Sequence, residues 1–325
     1  MKCRQAGAAL LTAMLTVTLV ASMAAAALWE QWRSIEVETA ERTRTQSLWI
    51  LTGALDWARL ILREDARSGG ADHLGEPWSV PLAEARLSTF LAADKNNAPD
   101  STDASNQVFL SGSISDLQAR MNVLNLVDKE SGKVSEPWMR AFARLFENLG
   151  LPAAELAALA ENVRFAQDTA TGNGSALLAP LLPQRTGQLR WLGLSARSVE
   201  LLSAHITILP ERTPVNLNTA SATVLVACIA TLDQAQAQRM VSSRQTGHFR
   251  TLADAGKVVA EVADEFKDGL HSVSSRYFEV RGRLRLEQTI VEERSVVQRD
   301  GLNVKTLWRD RAGVDRQAGT LQSGG

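Results

Sequence analysis

Asp94, Asn96, Asn97, Asp100, Asp103 and Asn106 fall within one short polar stretch of the chain. Carboxylate and amide oxygens at such spacing are hard ligands of the kind that calcium gathers in flexible loops. Asp94, Asn96, Asn97, Asp100 and Asp103 are therefore candidate calcium ligands, and calcium is the one candidate cofactor. A second, sparser set runs from Asp168 to Gly174. Catalytic patterns are missing. His73, His205, His248 and His271 are scattered, with no His-Glu-x-x-His pair to hold zinc. No Gly-x-Ser-x-Gly turn offers a serine nucleophile, and Gly256-Lys257 lacks the upstream glycine of a phosphate-binding loop. Cys3 and Cys228 are too few for a cysteine-rich zinc site or a disulfide framework. Cys228 sits on an apolar helical face and reads as a small buried residue. The expectation is a protein that is not an enzyme.

The whole-chain figures narrow the class further. A chain of 325 residues, 45% hydrophobic and 22% charged, has ordinary globular composition. It is too long for one core, which points to two or three domains. Lys and Arg total 35 against 36 for Asp and Glu, so there is no basic surplus for a phosphate backbone. The charges are unevenly spread, however. From Gln5 to Trp29 there are none, and the run exceeds the roughly 20 residues that cross a bilayer. Lys2 and Arg4 precede it, which keeps that end in the cytoplasm and puts the rest of the chain outside. Three readings fit. A secretory signal peptide would be cut near Ala24–Ala27, a plain anchor would not be cut, and a prepilin would lose only its leader. The leader Met1–Gly7 is short, basic and ends in Gly, and the apolar run follows at once, as in type IV pilins and pseudopilins. That pattern places leader-peptidase cleavage between Gly7 and Ala8.

The positioning elements follow from periodicity. No Pro occurs between Met1 and Pro77, and Leu48, Leu51, Leu55, Ala58 and Leu62 recur on one helical face. One helix from about Ala8 to about Arg67, stopped by Ser68-Gly69-Gly70, would be about 90 Å long. Trp78 and Phe90 are expected core residues. Gln107–Asp116 reads as a strand. Trp138–Leu149, Pro152–Phe165, Leu189–Leu202 (interrupted at Gly193), Ala222–Ile229 and Gln234–Arg244 read as helices, with Asn218 as an N-cap. Tyr277–Leu286, Thr289–Arg299 and Val304–Arg309 read as strands, followed by a polar tail. The expected fold class is α+β, with a long pilin-like transmembrane helix packed on an antiparallel sheet. A large all-helical insertion separates the strands. Arg120-Met121-Asn122-Val123-Leu124-Asn125 echoes Pro214-Val215-Asn216-Leu217-Asn218, which suggests two related helical modules. The expected organisation is a leader at 1–7, the pilin helix at 8–67 and the first part of an α/β domain at 68–118. Helical modules follow at 119–213 and 214–272, then C-terminal strands at 273–309 and a flexible tail at 310–325.

With these residues in order, the chain resembles the minor pseudopilin K family of the bacterial type II secretion system. The likeness rests on the leader ending in Gly7, the apolar start Ala8–Leu15, Ser111–Asp116 running into Asn122 and Asn125, and Leu209–Ser221. Thr12 is the fifth residue after the cut, where most pilins and pseudopilins carry a Glu thought to pair with the N-terminal amine of the subunit ahead. The resemblance implies a subunit of the inner membrane, its bulk in the periplasm, that initiates the pseudopilus and caps its tip. It also implies partners in minor pseudopilins of types I and J, with H, contact with exported proteins, and calcium-ordered loops. Family members commonly carry a Trp-Ile-Asp type acidic segment, of which Asn162–Asp168 keeps only Asp168.

Pro214–Ala255 also resembles a helix-hairpin-helix module, and such SAM-like folds can grip a phosphate on a Gly-x-Gly hairpin. Here the hairpin reads Thr231-Leu232-Asp233, without the glycines and with a carboxylate facing the site. The scaffold is kept and nucleic-acid binding is not expected. The rival reading is a periplasmic or membrane-anchored helix-hairpin-helix protein that binds DNA or another protein.

Overall fold

The computed structural model describes residues 6–88, 108–167, 179–286 and 289–316. Helix α1, Ala6–Ser68, is one unbroken element that ends where Gly69 and Gly70 take φ of +66° and +113°, a backbone state that glycine reaches without strain. Its second half is held by a five-stranded antiparallel sheet. The strands are β1 (Leu82–Arg86), β2 (Val108–Asp116), β7 (Tyr277–Leu286), β8 (Thr289–Asp300) and β9 (Asn303–Arg316), hydrogen-bonded in the order β1-β2-β7-β8-β9. Leu51, Leu55, Ala58 and Leu62 are all buried against it, as their spacing predicts, while Leu48 is half-buried. Each large side chain buried this way contributes about 1.5–3 kcal/mol. Gly112 of β2 and Gly282 of β7 are register partners beneath the helix. A Cβ on Gly282 would come within 3.1 Å of Leu51, so the missing side chain lets helix and sheet approach.

Between β2 and β7 the chain builds a separate helical region. It begins with β3 (Met121–Asn122), then α2 (Glu136–Asn148) and α3 (Ala153–Gln167). A 3₁₀ segment, Thr186–Leu192, leads through Gly193 to α4 (Ala196–Leu202) and β4 (Ile206–Thr207). A second unit runs from β5 (Val215–Asn216) through α5 (Ala222–Cys228), α6 (Gln234–Thr246) and α7 (Leu252–Val258) to β6 (His271–Ser272). The two units share one core, in which Trp138, Phe142, Leu145 and Phe146 of α2 meet Leu225 and Met240. β3 pairs in parallel with β4, and β5 pairs in parallel with β6. Each unit is thus closed by a two-residue strand bridge.

Three expectations need correction. Asn218 does not cap a helix: Ser221 is the N-cap of α5, its hydroxyl accepting from Val224 N–H, and Asn218 is fully inside the fold. The polar stretch after Arg309 is not all tail, because β9 continues to Arg316. A ladder is made by backbone groups, and the 12-residue β8 offers partners along this whole length, with Asp310 opposite Arg294 and Arg311 opposite Glu293. The mixed segment after Pro77 contains the edge strand β1, which its sequence did not announce. Trp78 is buried as expected, whereas Phe90 lies outside the described residues.

Candidate assembly interface

From Ala8 to Arg42 the side chains of α1 are exposed, among them Leu10, Leu11, Leu15, Val17, Val20 and Trp29. The helix is long and apolar enough here to cross a membrane, and none of the described residues covers it. Ala8, at the expected cleavage point, lies in the first turns, and Thr12 lies one turn on. The Thr12 hydroxyl donates to the backbone carbonyls of Ala8 (3.0 Å) and Ala9 (2.9 Å). Thr16, Thr18 and Ser22 do the same within the apolar run, so every hydroxyl there is satisfied by its own helix. This satisfaction removes most of the penalty for placing them in lipid.

Three tethers fix the other half of α1. Arg309 donates to Thr52 Oγ1 (3.0 Å), Arg59 Nε donates to the Val304 carbonyl (2.9 Å), and Arg299 pairs with Asp65 (2.5 Å). All three reach strands β8 and β9 or the turn between them. Arg299 also pairs with Asp72 and donates to the Ser275 carbonyl, so one guanidinium joins the helix end, the loop after it and the entry to β7. Asp65, Asp72 and Glu76 bring three carboxylates within 4.8 Å of one another. Burial raises the Asp65 carboxyl above its ordinary range, with the neighbouring Glu76 acting the same way and Arg299 opposing. Burial also raises Asp72, again against Arg299. Glu76 accepts from His73 N–H and Trp78 Nε1–H, both at 2.8 Å. These carboxylates are occupied by the protein's own donors, and they form a joint.

The joint continues into the helical region. Asp116, wholly buried at the end of β2, accepts from Gln118 N–H, from the hydroxyls of Thr219 (2.5 Å) and Ser275 (2.6 Å), and from Asn216 Nδ2 (3.1 Å). Burial nonetheless pushes its carboxyl up to about 6. Asn216 donates further to the Asp72 carbonyl and to Ser275. The Asn echo seen in the sequence therefore has a structural counterpart. Asn122 and Asn216 each accept from the backbone N–H two residues on, and each uses its amide N–H group to hold another loop. The acidic cluster at the helix end was not signalled by spacing, because its members come together only through the loop at 69–76.

The expected calcium ligands Asp94, Asn96, Asn97, Asp100 and Asp103 lie outside the described residues, as does Asp168. Of the hairpin residues, Thr231 takes φ of +62°, and Asp233 caps α6 by accepting from Gln236 N–H (2.7 Å). Its carboxylate fills the place where an external anion would meet the helix N-terminus. Cys228 is a buried free thiol that burial pushes up to about 12.

Two family models match in succession, each described as type II secretion system protein K: one over residues 119–211 and the other over residues 215–270. The type II secretion system protein K of Pseudomonas aeruginosa is 28% identical, with 96% of this chain and 91% of that relative covered. Both family models and this relative thus point to the type II secretion system protein K family, which the chain resembles along nearly its whole length. Protein K is a pseudopilin, a structural component of type II secretion. The fold of this chain is similar to that of a chain in the crystal structure of the GspK-GspI-GspJ complex from the enterotoxigenic Escherichia coli type 2 secretion system. That likeness has a TM-score of 0.59 at 17% identity, over 84% of this chain and 98% of that one. The exposed half of α1 is consistent with a membrane anchor, and the tethered half carries the α+β body.

Proposed function

We propose that this chain is a minor pseudopilin that initiates the pseudopilus and caps its tip, in company with minor pseudopilins of types I, J and H. The observation that carries the reading is Thr12. A carboxylate at that depth in lipid costs several kcal/mol unless paired, and so drives a subunit to dock beneath another. Thr12 has its hydroxyl satisfied within its own helix and has no such need. A subunit of this kind can be first and is poorly equipped to follow. The related complex named for GspK, GspI and GspJ supports the choice of partners. The setting follows: an inner-membrane anchor before assembly, a body in the periplasm that supports export of folded proteins, and a mature chain beginning at Ala8. The body is read as a pseudopilin domain (68–118 and 273–309) carrying two SAM-like, helix-hairpin-helix-like modules (119–213 and 214–272). Their common start, an Asn at the end of a two-residue parallel strand, supports common descent. Asp233, spent as a cap, argues against nucleic acid as their ligand.

N-terminal sequencing of the membrane-extracted chain, together with co-purification against tagged type I and type J pseudopilins, tests the proposal. A start at Ala8 and a stable complex with both partners are expected. A start near Ala27, or a chain that stays alone when the partners associate, would overturn it.

A further inference from the structure

A cleft on the sheet face opposite α1, where the sheet meets the first helical unit, is lined by guanidinium groups. Arg281 of β7 and Arg294 of β8 are direct register partners, and Arg120 and Arg185 enter from the helical side, with Trp308 of β9 at the wall. Like charges opposite each other on neighbouring strands are destabilising. The fold answers with Glu279, whose fully buried carboxylate gives one oxygen to Arg281 and the other to Arg294. Both of its oxygens are then engaged. Arg185 is paired with Asp310 at 3.1 Å. Arg120 is left over: among the described residues its side chain makes no hydrogen bond or ion pair, although it is half-buried beside Glu279, Arg281 and Arg294. Arg185 and Arg294 lie over the Trp308 ring at 5.9 and 5.4 Å. Four cations meet two carboxylates here, and a partly desolvated cation without a partner is an unfavourable state that a bound anion relieves.

We propose that this cleft is a receptor for carboxylates presented by an acidic segment of another protein. Planar guanidinium forks match carboxylate oxygens two at a time. The amide of Gln184 and the hydroxyl of Thr186 on the rim can hydrogen-bond a peptide backbone, and Trp308 gives it an apolar platform. The volume of about 280 Å³ takes one or two side chains and excludes a helix. The inference does not depend on a tip position or on the identity of the filament partners.

The test is fluorescence anisotropy of a dye-labelled tetraglutamate peptide titrated with the full chain in detergent at fixed ionic strength. A tetraglutamine peptide serves as the control and inorganic phosphate as the competitor. Saturable binding of tetraglutamate alone is expected, weakened at least ~10-fold by Arg120→Gln, a change of about 1.4 kcal/mol. Arg283→Gln, on the same face but paired with Glu292, should leave it unchanged. If Arg120→Gln fails to fold, Arg185→Gln at the rim carries the same expectation. Absence of saturable binding, equal losses in the Arg120 and Arg283 variants, or phosphate competing at the peptide's own Kd would overturn the proposal.

Discussion

Asn125 and Asn218 make the same pair of hydrogen bonds, each closing its side-chain amide on both backbone polar groups of one distant residue. Asn125 accepts from Thr213 N–H (3.0 Å) and donates to the Thr213 carbonyl (2.7 Å); Asn218 treats Phe249 likewise, at 2.8 and 2.9 Å. Both asparagines are buried, so their loss would strand a backbone donor and acceptor away from water. Asn125→Ala and Asn218→Ala should each cost about 2–4 kcal/mol, read from urea unfolding of the detergent-solubilised chain. Asn→Asp should cost a comparable amount, since a carboxylate keeps the N–H partner but faces the carbonyl with another acceptor. A loss under about 0.5 kcal/mol at either position would mean that the loops do not depend on this clasp.

Asparagine clasps explain both what the sequence discloses and what it hides. The repeated Asn after a short apolar strand was legible as an echo, because the two copies keep residue type and order. Asn218 was misread because Asn is a good N-cap and a helix does follow. Only contact with Phe249, 31 residues on, separates clasp from cap. The long helix was legible for the opposite reason: its burial pattern is local, with Leu51, Leu55, Ala58 and Leu62 on one stripe. The extra length of β9 depended on β8, and the Asp65–Arg299–Asp72 joint depended on residues more than 200 positions apart. The guanidinium-lined cleft gathers four arginines from widely separated positions, of which only Arg281 and Arg294 lie near their shared Glu279 in sequence.

Asp116→Asn is nearly isosteric and should still destabilise the fold. Every partner of Asp116 is a donor: Gln118 N–H meets Oδ1, while Thr219, Ser275 and Asn216 meet Oδ2. An amide must turn its own N–H group toward one of these sites. The expected loss is about 2–4 kcal/mol at neutral pH in the same unfolding assay. A variant as stable as the parent would show that the network tolerates a donor there.

Asp116 and His271 should give opposing pH dependences that mask each other. Burial raises Asp116 from 3.8 to about 6, so the folded state holds a proton that the unfolded state has released. Its contribution therefore falls as pH rises from about 4 to about 6 and is flat above. Burial lowers His271 from 6.5 to about 4; its Nδ1 accepts from Lys267 N–H, and Nε2 makes no well-formed hydrogen bond. The unfolded state takes up the proton first, so this contribution is complete above about 6.5 and is lost as pH falls toward 4. Each amounts to roughly 3 kcal/mol at full span. His271→Asn should leave a chain whose stability rises on acidification between pH 6 and 4, relative to the parent. Asp116→Asn should leave one that falls more steeply over the same interval. Parallel profiles for parent and both variants would refute the assignment.

Thr12→Glu tests the membrane end without touching the folded body. The substituted side chain lies about forty residues before the first tether, at Thr52, roughly 60 Å along the helix axis. Unfolding of the body should therefore shift by less than about 0.5 kcal/mol. In the bilayer the change is severe. Thr12 gives its one proton to carbonyls of its own helix, whereas an ionised Glu has four lone-pair sites and no intrahelical donor left to fill them. Its carboxylate must protonate or find a cation on a neighbouring helix, at a cost of several kcal/mol until it does. The variant should insert normally, fold normally and yet shift from starting filaments to joining beneath other subunits. The expected readout is a fall in pseudopilus number and in export with unchanged protein level in the membrane. Normal export and filament number with Glu at this position would show that initiation resides in the body of the protein and not in the first turns of its helix.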